Sequence, residues 1–363
     1  MYDMEKIAKH EKLDDGYYHL LNDLIKYPDA TTYLIWSRRG PGKTYSFLWE
    51  SYYYPFNFIF LRRTNDDIDF MCDDKLDLCP YNDVCRDKGI DVRAIKHKEG
   101  LGAFYNVTEN EKGETVPVGA PVGLIASLSR FKTLKGVGLS AYDFCTLDEF
   151  IPQPGEIVRR KEGEQLLSTY MTINRDRQKR GRAPLKLILF GNAEQVVTPI
   201  TSTLEVIDDM IELQASGKTH MYLEKRKILL HHITEEEIPL SDEEKVGIYE
   251  MMEGTNWARK AFGGEFADND FSCVQRRNLK GYVCLYSLIY KSKRIYVYNQ
   301  GNKFYMCSKQ ARVANTYNLD TERDQKLFLR VQLPILKDAT IEGNMYFEKY
   351  TYYDLITNFT KIF

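Results

Sequence analysis

Apolar residues along this chain come in short unbroken runs separated by polar stretches of helical spacing. The first run, Tyr33-Leu34-Ile35-Trp36, ends in a Gly-rich turn, SRRGPGKT. A helical stretch from Lys43 to about Tyr53 follows and stops at Pro55, whose ring cannot continue a helix. Phe56 to Leu61 (FNFIFL), Phe144 to Leu147 and Leu185 to Phe190 (LKLILF) repeat the buried-strand pattern. Strands apolar on both faces, alternating with helices, predict an α/β fold with a parallel sheet covered on both sides. Upstream, Leu20, Leu21, Leu24 and Ile25 are spaced for one face of a short helix.

The texture changes after about residue 200. From Thr201 to Ala267 the spacing is helical and acidic, with six acids in the ten residues EEEIPLSDEE and a capping-box pattern at Ser241 and Glu244. We read 1–205 as the α/β domain, 206–267 as a helical lid or linker, and 268–363 as a β-rich domain. Within the last, GYVCLYSLIY, KRIYVY and KFYMC are strand patterns, and the NQGN step predicts a hairpin.

Composition narrows this little but excludes much. A length of 363 residues suits two domains, and 43% hydrophobic with 28% charged residues excludes wholesale disorder. The longest apolar run, of about ten residues, falls short of the ~18 that a membrane span requires, so no membrane association is expected. No apolar core follows the N-terminus, so no secretory signal is expected. Seven scattered cysteines do not form a disulfide framework, which points to a reducing compartment. Cys72, Cys79 and Cys85 lack zinc spacing, and His231-His232 reads as structural. Charge does change the picture. The net −2 conceals a basic tail: 271–363 holds 15 Lys and Arg against 7 Asp and Glu, and 271–310 holds no carboxylate at all. A basic tail on an acidic body suits a polyanionic partner.

Ser37-Arg38-Arg39-Gly40-Pro41-Gly42-Lys43-Thr44 is a phosphate-loop sequence with Ser where the pattern asks for its first Gly. Gly40 and Gly42 let backbone N–H groups curl around phosphate oxygens, and the following helix adds its positive N-terminal end. Lys43 suits the β- and γ-phosphates of ATP, and the Thr44 hydroxyl suits Mg2+. Asp148-Glu149 ends the third apolar run. At a strand end Asp148 can hold magnesium through water, and Glu149 can take a proton from an attacking water. LILF ends in Gly191-Asn192, which serves either a strand-end turn or a contact to the γ-phosphate or lytic water. Arg175, Arg177, Lys179, Arg180 and Arg182 form either a solvated helix end or the source of an arginine supplied to a neighbouring site. Lys132 and Lys135, in KTLKGVGLSAY, serve either a neighbouring site or DNA phosphates, and Arg39 suits its own subunit's site.

In this order, SRRGPGKT, FIFLRRT, LDEF and LILFGN resemble the ATPase domain of phage terminase large subunits, over roughly 33–199. The match is closest to the small DNA-packaging ATPases of φ29-like phages, which also have a stretch like GGEFADNDFSCVQRR before a β-rich tail. The resemblance implies a P-loop ATPase of the additional-strand, catalytic-glutamate type, joined to a ribonuclease-H-like domain. Five copies would form a ring on the portal, or connector, of an empty capsid and pump double-stranded DNA inward, in the host cytoplasm. By position, Lys43, Thr44, Asp148, Glu149 and Asn192 match the family's nucleotide motifs. Arg175 matches the arginine presented to the neighbouring subunit, and Lys135 a second residue acting across that boundary.

The tail departs from the nuclease-bearing terminases: GYVCLYSLIY and KRIYVY carry no Asp or Glu to hold catalytic metals, so no nuclease activity is expected. Arg276, Arg277, Lys280, Lys291, Lys293 and Arg294 alternate instead with Tyr282, Tyr286, Tyr290 and Tyr296. That pattern offers phosphate contacts beside stacking surfaces for a packaging RNA or for the DNA. Two other readings stand beside the motor. One is a terminase large subunit with an active nuclease, the other a nucleic-acid-binding assembly protein with a vestigial ATP site.

Overall fold

The computed structural model describes residues 15–73, 75–130, 139–175, 177–242 and 245–363. They fall into two compact units that divide between Asp268 and Asn269. The first holds nine strands: β1 (Thr32–Ser37), β2 (Phe58–Arg62), β3 (Val92–Lys98), β4 (Leu101–Glu109), β5 (Thr115–Ser127), β6 (Phe144–Asp148), β7 (Lys186–Asn192), β8 (His220–Leu223) and β9 (Ile228–His232). Their order in the sheet is β3-β4-β5-β2-β6-β7-β1-β9-β8. From β5 to β9 every neighbouring pair is parallel, while β3, β4 and β8 pair antiparallel at the edges.

The central strands are apolar throughout because both faces are covered. In β1 every residue after Thr32 is buried, and β7 is buried up to Asn192. Helix α1 (Leu20–Lys26) buries Leu20, Leu21 and Leu24. Helix α2 (Lys43–Tyr53) is fixed to the sheet by Phe47, whose ring meets Phe58 of β2 at 5.2 Å and Phe190 of β7 at 6.1 Å. Burying a ring of this size is worth about 1.5–3 kcal/mol, so Phe47 holds the start of α2 over the ends of the strands it touches.

One reading is corrected. The region 206–267 is not a helical lid: it supplies β8 and β9, and β9 pairs with β1 in register from Thr32 to Trp36. Its short ILLHH run is too brief for helical and strand periods to be told apart. Further along, Gly264 has φ of +65°, and a Cβ there would stand 2.6 Å from the Arg38 backbone nitrogen. This stretch therefore braces the back of the Gly-rich turn. The antiparallel excursion β3–β5 is absent from the sequence reading altogether. Glu244, half of the expected capping box, lies outside the described residues.

The second unit is a five-stranded sheet in the order β13-β10-β11-β12-β14, from β10 (Val283–Tyr290), β11 (Lys293–Gln300), β12 (Lys303–Cys307), β13 (Thr316–Asn318) and β14 (Met345–Phe347). The β11–β12 hairpin closes at Gln300 and Lys303 around Gly301-Asn302, where NQGN predicts it. Four helices follow β13, and Phe328, Leu333, Leu336, Leu355 and Phe359 from them pack with Leu288, Val297 and Met306.

Candidate active site

The sheet order sets the site. β7 lies between β1 and β6, so the Gly-rich turn after β1, Asn192 at the end of β7 and the acids after β6 emerge at the same edge. Gly40 and Gly42 have φ of +93° and +89°, conformations that let N–H groups curl around an anion. Lys43 is buried; its Nζ donates to Ser37 Oγ, to the Arg38 carbonyl at 3.1 Å and to Asn192 Oδ1 at 3.2 Å. Burial pulls this ammonium down to about 7, the Asp148 carboxylate opposes that, and the Arg38 guanidinium adds to it. A phosphate beside Lys43 would reverse the shift, so the turn fits a polyphosphate. The Thr44 hydroxyl donates to Asp148 at 3.1 Å, which puts two hard oxygen ligands side by side.

Arg62 completes the arrangement, although its sequence gave no role. It closes β2, the strand next to β6, and its guanidinium meets Asp148 at 3.1 Å and Glu149 at 2.7 Å. Burial pushes the Asp148 carboxyl above its ordinary value, and the Arg62 charge opposes this. Glu149 has φ of +62°, a left-handed conformation costing on the order of 1–3 kcal/mol for a residue with a Cβ. Arg63 holds that backbone, donating to the Glu149 carbonyl at 2.8 Å while ion-paired to Glu156 and Glu162. Gln153 donates to the other Glu149 oxygen at 2.7 Å, and Arg39 bonds Gln153 in turn at 2.9 Å. Lys43, Thr44, Asp148, Glu149 and Asn192 open on a cleft of about 980 Å³, lined also by Tyr17, Trp49 and Tyr53.

Solved structures share this architecture from end to end. A chain of the bacteriophage phi29 viral genome packaging motor assembly superposes with a TM-score of 0.63 at 18% identity, covering 95% of this chain and 99% of that one. The phi28 gp11 DNA packaging motor gives 0.57 at 14% identity, covering 93% and 95%. The chain shares the fold of these two structures. No protein-family model matches the sequence, and no curated protein does.

Within the motor fold the basic run at 175–182 divides. Arg177 is buried, donating to Asp143 at 2.8 Å, to the carbonyls of Ala183 at 2.8 Å and Ser140 at 2.9 Å, and to that of Tyr142. Arg180 and Arg182 also bond Ser140, at 3.2 and 3.0 Å. All three bond to residues within 140–143. Arg175, just past the helix Glu162–Asn174, is exposed. Lys132 and Lys135 lie outside the described residues. Arg38 is buried, its guanidinium donating to the carbonyls of Arg39 at 2.9 Å and Pro239 at 3.3 Å.

In the second unit the basic residues and tyrosines part company. Tyr286 and Tyr296 are buried, so they offer no stacking surface, while Tyr282 and Tyr290 are half-buried. Both faces of this sheet are covered: Tyr286 packs with Leu288 and Val297 on one, and Tyr296 with Tyr298 and Tyr305 on the other. Arg277 is also largely internal, its guanidinium 3.2 Å from the centre of the Tyr346 ring. Arg276, Lys280, Lys291, Lys293 and Arg294 are exposed, the last three around the β10–β11 turn.

Proposed function

We propose that this chain is a ring subunit of a viral motor that hydrolyses ATP to drive double-stranded DNA into a preformed capsid. The observation that carries this reading is the hydrogen bond from Thr44 of the phosphate loop to Asp148 of the acid pair, 3.1 Å long. The likeness of nearly the whole chain to packaging-motor structures supports it.

In this reading residues 37–44 cradle the phosphates of ATP, Lys43 neutralises their charge, and the Thr44 hydroxyl and Asp148 carboxylate hold Mg2+. The metal offsets charge developing on the phosphoryl oxygens. Glu149 orients a water and accepts its proton, and Asn192, already bonded to Lys43, senses the γ-phosphate. Arg175 of one subunit, and Lys135, reach the next subunit's site. Arg62 holds the Glu149 carboxylate in position beside Asp148. The C-terminal unit meets the portal and a packaging RNA or DNA through Arg276, Lys280, Lys291, Lys293 and Arg294. Its ribonuclease-H-like ancestry is part of this proposal, and the absence of acids from β10 and β11 supports a domain without nuclease activity.

The test is ATP hydrolysis at rising protein concentration, with and without long double-stranded DNA and empty capsids. Turnover that rises with all three supports a shared-site motor. Turnover independent of each of them overturns it.

A further inference from the structure

A second cluster of chemically active side chains lies apart from the phosphate loop. Asp23 of α1, His220 of β8 and His231 of β9 come from positions about 200 residues apart in sequence, yet their donor atoms all lie within 4.8 Å of one another. One Asp23 oxygen is 3.0 Å from His220 Nε2, and the other is 2.7 Å from His231 Nδ1. The two imidazole rings stack with centroids 3.8 Å apart, so their near nitrogens face the same carboxylate. Asp23 and His231 are buried, while the His220 side chain keeps 13% exposure and leaves a way in.

The far side of each ring is also engaged. His220 Nδ1 meets Thr219 Oγ1 at 2.7 Å, and His231 Nε2 meets the Glu237 carboxylate at 3.0 Å. The Tyr18 hydroxyl bonds the second Asp23 oxygen at 3.0 Å. Metal-bound histidines are held in this way, with the outer nitrogen tied to a carboxylate or hydroxyl so that the inner one points at the ion.

We propose that Asp23, His220 and His231 bind a zinc ion, with Glu237 and Thr219 as positioning residues and water as a fourth ligand. Two imidazoles and a carboxylate are donors that zinc accepts at about 2.0–2.2 Å in tetrahedral geometry. Tetrahedral ligand atoms stand about 3.3 Å apart, close to the 3.0 and 2.7 Å that separate the Asp23 oxygens from the two ring nitrogens. The ion would tie α1 to the β8–β9 edge. Through Tyr18, whose backbone N–H bonds the Pro41 carbonyl at 2.9 Å, it would also steady the phosphate loop.

The test uses the full-length chain freed of metal and titrated with Zn2+ against a coloured chelator, then with Co2+ by visible absorption. The expected result is one tight site per chain and a cobalt spectrum without a thiolate band. His220→Gln and Asp23→Asn should weaken binding more than about tenfold, Glu237→Gln about tenfold, and exposed His97→Gln not at all. Zinc in excess should raise Tm by about 5 °C in the parent and not in His220→Gln. Circular dichroism confirms that each variant is folded, and Glu237→Gln, which leaves all three ligands in place, carries the test if a ligand variant is not. No site tighter than about 10 μM, a thiolate band, or unchanged affinity in folded His220→Gln or Glu237→Gln would overturn the proposal.

Discussion

The guanidinium of Arg62 lies 2.7 Å from the carboxylate of Glu149 and 3.1 Å from that of its neighbour Asp148. One planar group thus holds both acids at the tip of β6 and fixes where the proposed base stands. Arg62→Ala should keep nucleotide binding within a few-fold and lower hydrolysis at least tenfold, because two adjacent carboxylates lose their shared counter-charge. Arg62→Lys should recover little, since an ammonium cannot make the forked contact. Equal hydrolysis by Arg62→Ala and the parent would remove Arg62 from the mechanism.

Glu149→Gln and Lys43→Ala should separate chemistry from binding. The first should hold ATP while hydrolysis falls by about 10²–10⁴, the loss typical of a removed general base. The second should lose affinity as well, because Lys43 is the buried cation of the loop. Equilibrium binding of a fluorescent nucleotide beside phosphate release reads both.

Arg177→Ala and Arg175→Ala should behave oppositely. Removing Arg177 strands the buried Asp143 charge, and a loss of about 3–5 kcal/mol is expected in chemical denaturation. Removing exposed Arg175 should cost far less stability than that and lower the hydrolysis that depends on protein concentration. Similar denaturation curves for the two would show that the buried ion pair is not what holds residues 140–143.

Gly191 is followed by Asn192, and a Cβ on it would meet the Phe150 ring at 2.8 Å and Ile151 at 3.1 Å. Gly191→Ala should cost about 1–3 kcal/mol and displace the segment that carries Glu149. Hydrolysis should fall more than ATP affinity does. A variant as stable and active as the parent would mean that this segment yields freely.

Replacing Lys291, Lys293 and Arg294 together by Ala should weaken nucleic-acid binding for all sequences and flatten its dependence on salt. Arg277→Ala should lower the Tm instead, through loss of its stacking on Tyr346. An unchanged salt slope in the triple variant would direct attention to Arg276 and Lys280.

The strands that lead to Lys43 and carry Asp148 and Asn192 were legible because a buried parallel strand is apolar without alternation, and each ended in a polar signature. The β3–β5 excursion was not, since TVPVGAPVGLIAS mixes Pro and Gly with its apolar residues and starts on an exposed face. Arg62 escaped for a different reason. Its partners lie 86 and 87 residues away and meet it only because β2 and β6 are sheet neighbours, which no local pattern encodes. The zinc proposal depends on pairings of the same long reach, and in sequence His231 looked like a filler of the core.

The sheet edges have a consequence for assembly. β8 has four residues and β13 and β14 three each, while β3 ends in Lys96, His97 and Lys98, all exposed. Such edges give a foreign strand little backbone to zip onto and surround it with charge. Any partner, whether nucleic acid, portal or a second copy, must therefore be gripped by side chains and loops. Interfaces of that kind can be remade one residue at a time while the sheets stay intact.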